Sequence, residues 1–249
     1  MLKLPLAVVI LAAGKGKRMM SERPKVLHYL GGKPLLRHVL EITYLLDPDK
    51  ILLVIGHGSS EIRSVFGTEA RIEFVEQHEQ LGTGHAVMQT RPALDDFDGN
   101  ILVLCGDMPF IKSTTLENMI QCRMNKRAAC VLLTLKTSES KDFGRILRTD
   151  EGNVCGVVEQ RDANDQQKTI DEYNAGVYCF ERSLLFQSVC GLDNLNVQSE
   201  YYLTDVVEYF ASRNLTVHAV QTRDNREVFG INSVDDLKNA ERILAGKQT

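Results

Sequence analysis

No tryptophan occurs among the 249 residues. No apolar run approaches the ~20 residues of a membrane-spanning helix, which excludes such a span. Met1-Leu2-Lys3-Leu4-Pro5 lacks the long apolar core of a secretory leader, so none is expected. There is no surplus of positive charge: 29 Lys and Arg face 33 Asp and Glu for a net charge of −4. That balance excludes the broad basic footprint of a nucleic-acid binder, so any anion must be held by locally gathered cations. The six cysteines (Cys105, Cys122, Cys130, Cys155, Cys179 and Cys190) form no CxxC pair and no metal-ligand spacing. Most sit in apolar surroundings, which predicts reduced, buried thiols in a cytoplasmic protein. Heptads, internal repeats, low-complexity segments and charged tails are absent as well, so nothing favours a scaffold. With 43% hydrophobic residues the chain can build one core, and a single α/β domain over residues 1–249 is expected.

The most informative stretch lies near the start. Residues 6–13 are continuously apolar rather than alternating, which predicts a strand buried on both faces. The run ends in Gly14 and Gly16, which let the backbone turn tightly and meet a ligand with no Cβ in the way. Lys15, Lys17 and Arg18 stand in that turn, and Lys25 follows Pro24, which fixes the chain's direction. Backbone N–H groups beside this much positive charge suit a polyphosphate. Two other glycine loops fail on spacing. Met19 occupies the third glycine position of a dinucleotide-binding turn, and only Lys15 separates Gly14 from Gly16 where a P-loop has four residues. The plain alternative is a solvated glycine turn, against which Pro24-Lys25 argues.

Further along, apolar spacing predicts a helix over 34–46 with Pro34 in its first turn, a strand over 50–55, a helix over 59–66 and a strand over 71–75. Strands alternating with helices predict a doubly wound, mostly parallel Rossmann-like sheet with helices on both faces, its ligands outside the strands' carboxyl ends. Gly82-Thr83-Gly84 opens a helical run to Arg91, where the glycines allow close approach to a flat polar ring and the Thr hydroxyl suits a helix cap. Residues 100–105 read as another buried strand, followed at once by Gly106-Asp107. A carboxylate there suits Mg²⁺, a hard cation, while a simple turn residue is the rival reading. A helix over 114–125 and a strand over 128–136 come next. Residues 143–146 and 154–160 then read as a hairpin, which with a strand over 175–180 forms a small β-rich portion. Read locally, Glu159 is a solvated strand position and Asn174 a turn residue before Gly176. Asp205 favours the start of a helix to Ala211, and 216–221 reads as a strand. Ser233 to Asp236 makes a capping-box-like start for a last helix to Leu244.

Leu11-x-x-Gly14-x-Gly16, Arg18-Met19 and Pro24-Lys25 together resemble the signature of the sugar-phosphate nucleotidyltransferases. More narrowly, the chain is similar over nearly its whole length to the N-terminal uridylyltransferase half of the bacterial bifunctional UDP-N-acetylglucosamine-synthesising enzymes. The resemblance implies that Leu11, Ala12, Ala13, Gly14 and Gly16 bind the nucleotide, with Gln77, Gly82 and Thr83 on uracil. It implies sugar contacts from Gly106, Gly144, Glu159, Asn174, Glu200 and Tyr202. Arg18, Lys25 and Asp107 would be catalytic, and Asp107 with Asn232 would hold Mg²⁺. UTP and N-acetylglucosamine 1-phosphate would react by in-line displacement, and the attacking phosphate, already ionised, needs no general base. The hexapeptide repeats of the family's β-helix acetyltransferase are absent, so acetyl transfer and trimerisation through that part are not expected, and a monomer or weak homo-oligomer is. Four positions depart from the family pattern: Lys17 stands where Thr is common, Cys105 and Phe143 where Tyr is frequent, and Ala175 where Thr is frequent. Two alternatives remain: the same fold acting on another sugar phosphate, or on CTP with an alcohol phosphate, and a catalytically silent nucleotide-sugar binder.

Overall fold

A computed structural model describes residues 4–139 and 142–246 of the chain. The start Met1 to Lys3 and the Lys17 side chain, both read from sequence above, lie outside what is described. The strands are β1 (Leu6–Leu11), β2 (Tyr29–Leu30), β3 (Lys33–Pro34), β4 (Lys50–Ile55), β5 (Ile72–Glu76), β6 (Asn100–Cys105), β7 (Cys130–Lys136), β8 (Arg145–Arg148), β9 (Val154–Val158), β10 (Glu172–Glu181) and β11 (Val217–Gln221). The helices are α1 (Leu35–Leu45), α2 (Ser59–Phe66), α3 (Thr83–Met88), α4 (Ser113–Lys126), α5 (Arg182–Val189), α6 (Asp205–Ala211) and α7 (Val234–Leu244).

The main sheet runs β11-β7-β10-β6-β1-β4-β5, with β8 and β9 added beside β10. β5, β4, β1 and β6 are parallel, as are β7 and β11, and β10 runs antiparallel to both of its neighbours β6 and β7. The expected mostly parallel sheet is therefore present, with β10 reversed within its main path and β9 reversed beside it. From β1 the chain moves outward through β4 to β5 and then returns to β6 on the other side of β1. The order thus turns back between β1 and β6, where α/β sheets of this kind open a crevice for ligands.

Continuous apolar strands are the consequence of burial on both faces. Val8, Ile10, Leu53, Leu102 and Leu104 point into one core layer with Leu36 and Leu40 of α1, Phe66 of α2 and Leu116 of α4. Ala7, Val9, Leu52, Val54 and Val103 point into the opposite layer with Val87 of α3, Leu185 of α5 and Phe210 of α6. Several local details differ from expectation. β1 stops at Leu11, although the Ala12 N–H still reaches the Val54 carbonyl at 2.8 Å. Pro34 precedes α1 with extended backbone (ψ 145°), pairing in the short β2–β3 hairpin that the sequence did not announce. α5 was also unannounced. It starts where the Glu181 carboxylate accepts from the N–H groups of Ser183 and Leu184, a cap supplied by the last residue of a strand.

Candidate active site

The loops leaving β1 and β6 are in register, Leu11 opposite Cys105. The Gly106 N–H donates to the Leu11 carbonyl at 3.0 Å, and a Cβ on Gly106 would sit 3.2 Å from Val26. Gly106 thus joins the two loops and lines neither cleft described below. In the β1 loop, Gly16 has φ +56°, and a Cβ there would come within 2.8 Å of the Lys25 Cβ. Pro24 then opens a 3-10 turn, Lys25–Leu27, whose Val26 and Leu27 are buried. These anchors aim Lys25 at the strand ends. Its Nζ donates to Asp107 Oδ2, and to Asn232 Oδ1 at 2.9 Å.

Asp107 and Asn232 are also joined through the backbone, because the Asp107 carbonyl accepts from the Ile231 N–H at 3.0 Å. The start of α7 steadies Asn232: its N–H donates to Asp236 Oδ2 at 3.0 Å, while the Asp236 N–H donates to Ser233 Oγ at 3.1 Å. The expected capping box is thus present in slightly shifted form, and it ends beside the site. Gly230 makes room for this approach, since a Cβ there would lie 3.4 Å from Asn232 Nδ2.

Of the adjoining clefts that open here, two share Asp107. The first, of about 570 Å³, is lined by Leu11, Ala12, Ala13, Gly14, Gly16, Lys25, Gln77, Gly82, Thr83, Asp107 and Glu200, among others. The second, of about 320 Å³, shares Cys105 and Asp107 with the first and adds Arg18, Gly144, Glu159, Asn174 and Asn232. A bulge in β10 between Asn174 and Tyr178 carries Ala175 and Gly176 into the second cleft's wall. Burial and then the neighbouring Asp107 carboxylate push the Cys105 thiol up to about 12, which favours its protonated form.

Several side chains expected at the ligand also have internal partners. The Gln77 amide is buried and donates to the Gly82 carbonyl at 3.0 Å, bracing the loop. Thr83 does not cap its own helix; its hydroxyl accepts from the Leu203 N–H at 3.1 Å. Asn174 donates to the Tyr178 hydroxyl at 2.6 Å and accepts from the Gly176 N–H at 3.1 Å. Burial raises the Glu159 carboxyl above its ordinary range, opposed by the Thr204 hydroxyl donating to it at 3.1 Å. Glu200, expected on the sugar side, lines the first cleft instead. Tyr202 lines neither cleft; it is buried, and its hydroxyl accepts from the Gln198 amide at 2.7 Å. Sequence reasoning passed over Gln80 as a lining residue and named Cys105 only as a departure from the family pattern. The position of Cys105, directly before Gly106-Asp107 at a strand end, was the available signal.

A glycine loop and a carboxylate thus face each other at the turning point of a doubly wound sheet. A solved UDP-glucose pyrophosphorylase complexed with UDP-glucose superimposes with a TM-score of 0.80 at 17% identity, covering 98% of this chain and 100% of that one. An apo UDP-glucose pyrophosphorylase gives 0.77 at 17% identity, covering 99% and 100%. The family described as MobA-like NTP transferase domain matches residues 8–156, more than half of the chain. The chain belongs to that family. It is 44% identical over 236 residues to a Heliobacterium modesticaldum protein named Bifunctional protein GlmU, covering 95% of this chain and 51% of the relative. A Legionella pneumophila protein of the same name is 41% identical over 241 residues, covering 96% and 52%. The chain spans about half the length of the curated relatives it matches.

Proposed function

We propose that residues 1–249 form one nucleotidyltransferase domain that transfers a uridylyl group from UTP to N-acetylglucosamine 1-phosphate, releasing pyrophosphate. The observation that carries this reading is the convergence of Lys25, Asp107 and Asn232 beside the Gly14–Gly16 turn at the point where the strand order reverses. Similarity to proteins named Bifunctional protein GlmU supports it, as does a UDP-sugar bound to a solved protein of this fold.

In this reading the problem is bringing two polyanions together in line, and cations with oriented N–H groups solve it. The acceptor phosphate is its own nucleophile, consistent with a Cys105 held as thiol. Lys25, Arg18 and the amides around Gly14 and Gly16 offset charge developing at the α-phosphorus. The Asp107 carboxylate and Asn232 amide oxygen are hard donors suited to Mg²⁺, and they already hold one cation, the Lys25 ammonium, between them. Among the described residues no cluster of three or more His, Cys, Asp or Glu offers a metal site. Further ligands would come from substrate phosphate and water, the usual arrangement for Mg²⁺ in phosphoryl chemistry. When bound, Mg²⁺ supplies Lewis-acid neutralisation of phosphate charge. Gln77, Gly82 and Thr83 would face uracil, while Gly144, Glu159 and Asn174 would face the sugar.

A second reading is the same chemistry on another sugar phosphate, because Cys105, Phe143 and Ala175, which depart from the family pattern, line the second cleft. Six unpaired cysteines and a nucleoside triphosphate substrate support a cytoplasmic protein, working as a monomer or weak homo-oligomer. No helix among the described residues is long and apolar enough to cross a membrane. The test compares kcat/KM across UTP, CTP and dTTP with N-acetylglucosamine, glucosamine and glucose 1-phosphates. The reading expects UTP with the N-acetylated acceptor to lead. Preference for another pair would keep the chemistry and replace the substrate.

A further inference from the structure

The two oxygens assigned above to Mg²⁺ are already engaged by a cation of the chain itself. Asp107 Oδ2 and Asn232 Oδ1 both accept from Lys25 Nζ. Mg²⁺ binds oxygen directly at about 2.0–2.1 Å, and an ammonium centred between the same two atoms leaves it no room. We propose that Lys25 is a tethered cation that fills the metal site in the nucleotide-free protein, so that Mg²⁺ enters by displacing the ammonium toward the nucleotide's phosphates. This rests on the assignment of Asp107 and Asn232 to the metal.

The surroundings fit an exchange. The Asp107 side chain is only 12% exposed, and a carboxylate so buried is costly to leave without a counter-ion. Lys25 therefore stays until another cation replaces it. Its backbone is fixed by the Pro24 turn and the buried Val26 and Leu27, so the flexible four-carbon stem is the part free to move. Lys25, Gly14, Lys15 and Gly16 line the same cleft, so a stem that swings away from Asp107 remains among the groups that would meet phosphate. Nucleotide draws the ammonium off the oxygens and metal pushes it off, so the two ligands assist one another. By linkage that assistance is equal in both directions.

The experiment is Mn²⁺ binding followed by electron paramagnetic resonance without nucleotide, on wild type, Lys25→Met, Lys25→Ala, Lys15→Met and Asp107→Asn. Both Lys25 variants are expected to bind Mn²⁺ at least about fivefold more tightly than wild type, the low end of coupling between linked sites. Lys15→Met removes an equal charge from the same loop and is expected to stay close to wild type; equal tightening there would replace displacement with a general charge effect. Unchanged Mn²⁺ affinity in folded Lys25 variants would overturn the exchange and leave the metal assignment standing. Wild-type affinity in Asp107→Asn would overturn the assignment itself. In wild type, acetic anhydride labelling of Lys25 read by mass spectrometry should rise when Mg²⁺ is added alone. No rise at saturating Mg²⁺ would overturn the proposal even if the Lys25 variants fail to fold.

Discussion

Lys25 owes its position to its neighbours on both sides. Pro24 sets the turn, Val26 and Leu27 bury it, and Gly16 leaves room for its Cβ. Truncation to Lys25→Ala should lower kcat by on the order of 10²-fold or more, the loss usual for one preorganised charge stabiliser. Unchanged turnover in a folded variant would remove Lys25 from the mechanism. Gly16→Ala should do comparable damage indirectly. Its methyl group would press on Lys25 from 2.8 Å at a φ of +56°, so turnover should fall by roughly 10-fold or more while circular dichroism stays native. At this scale the sequence was legible where glycines and their flanks announced a turn at a strand end, as with Gly14 and Gly16, while Asp107 stood open between metal ligand and turn residue. Asn232 was different. Its partner Lys25 lies 207 residues away, and locally it looks like any turn residue before a cap, so only the family resemblance singled it out. The Tyr202 hydroxyl accepts from Gln198 four residues earlier, a pairing the sequence did not announce.

Among the elements, α3 and the segment before α6 depend on each other. The Gly84 N–H donates to the Tyr201 carbonyl at 2.8 Å, and a Cβ on Gly82 would meet that carbonyl at 2.6 Å. The two glycines are therefore needed for close backbone passage as well as for any ligand. Local sequence could not reveal this, because Leu203, the partner that takes the Thr83 hydroxyl from its expected capping role, is 120 residues away. Asp205 opens α6, as read from the sequence, but burial and then Glu159 and other carboxylates raise its pKa from 3.8 to about 6. The folded state binds that proton better, so Asp205 costs stability increasingly as pH rises from 3.8 through about 6. Its favourable place at a helix N-terminus offsets at most about 1 kcal/mol of this. Asp205→Asn should therefore raise Tm by roughly 2–4 °C at pH values well above 6, an advantage that vanishes below pH 3.8. An equal gain at both ends would contradict the account.

For the molecule as a whole, the doubly wound sheet was readable because strands buried on both faces write themselves as continuous apolar runs. The reversal of β10 was not readable. Its residues look like those of any buried strand, and its direction is set by the antiparallel pairing with β6, β7 and β8. The two clefts share Cys105 and Asp107, so under the proposed function donor and acceptor would meet at one charged junction. Removing divalent metal with EDTA should abolish turnover and lower Tm of the nucleotide-free protein only by the few degrees that ligand linkage gives, because Lys25 keeps the Asp107 charge neutralised. A large fall in Tm would mean that metal, rather than lysine, holds that junction closed.

The most direct test of the central claim is to mix the protein with UTP, N-acetylglucosamine 1-phosphate and Mg²⁺ and measure pyrophosphate and nucleotide sugar together. The account predicts one pyrophosphate for each UDP-N-acetylglucosamine formed, with both rates falling in Lys25→Ala and in Asp107→Asn. Tight binding of UDP-N-acetylglucosamine with no pyrophosphate released from any acceptor would contradict it and leave a nucleotide-sugar binder in its place.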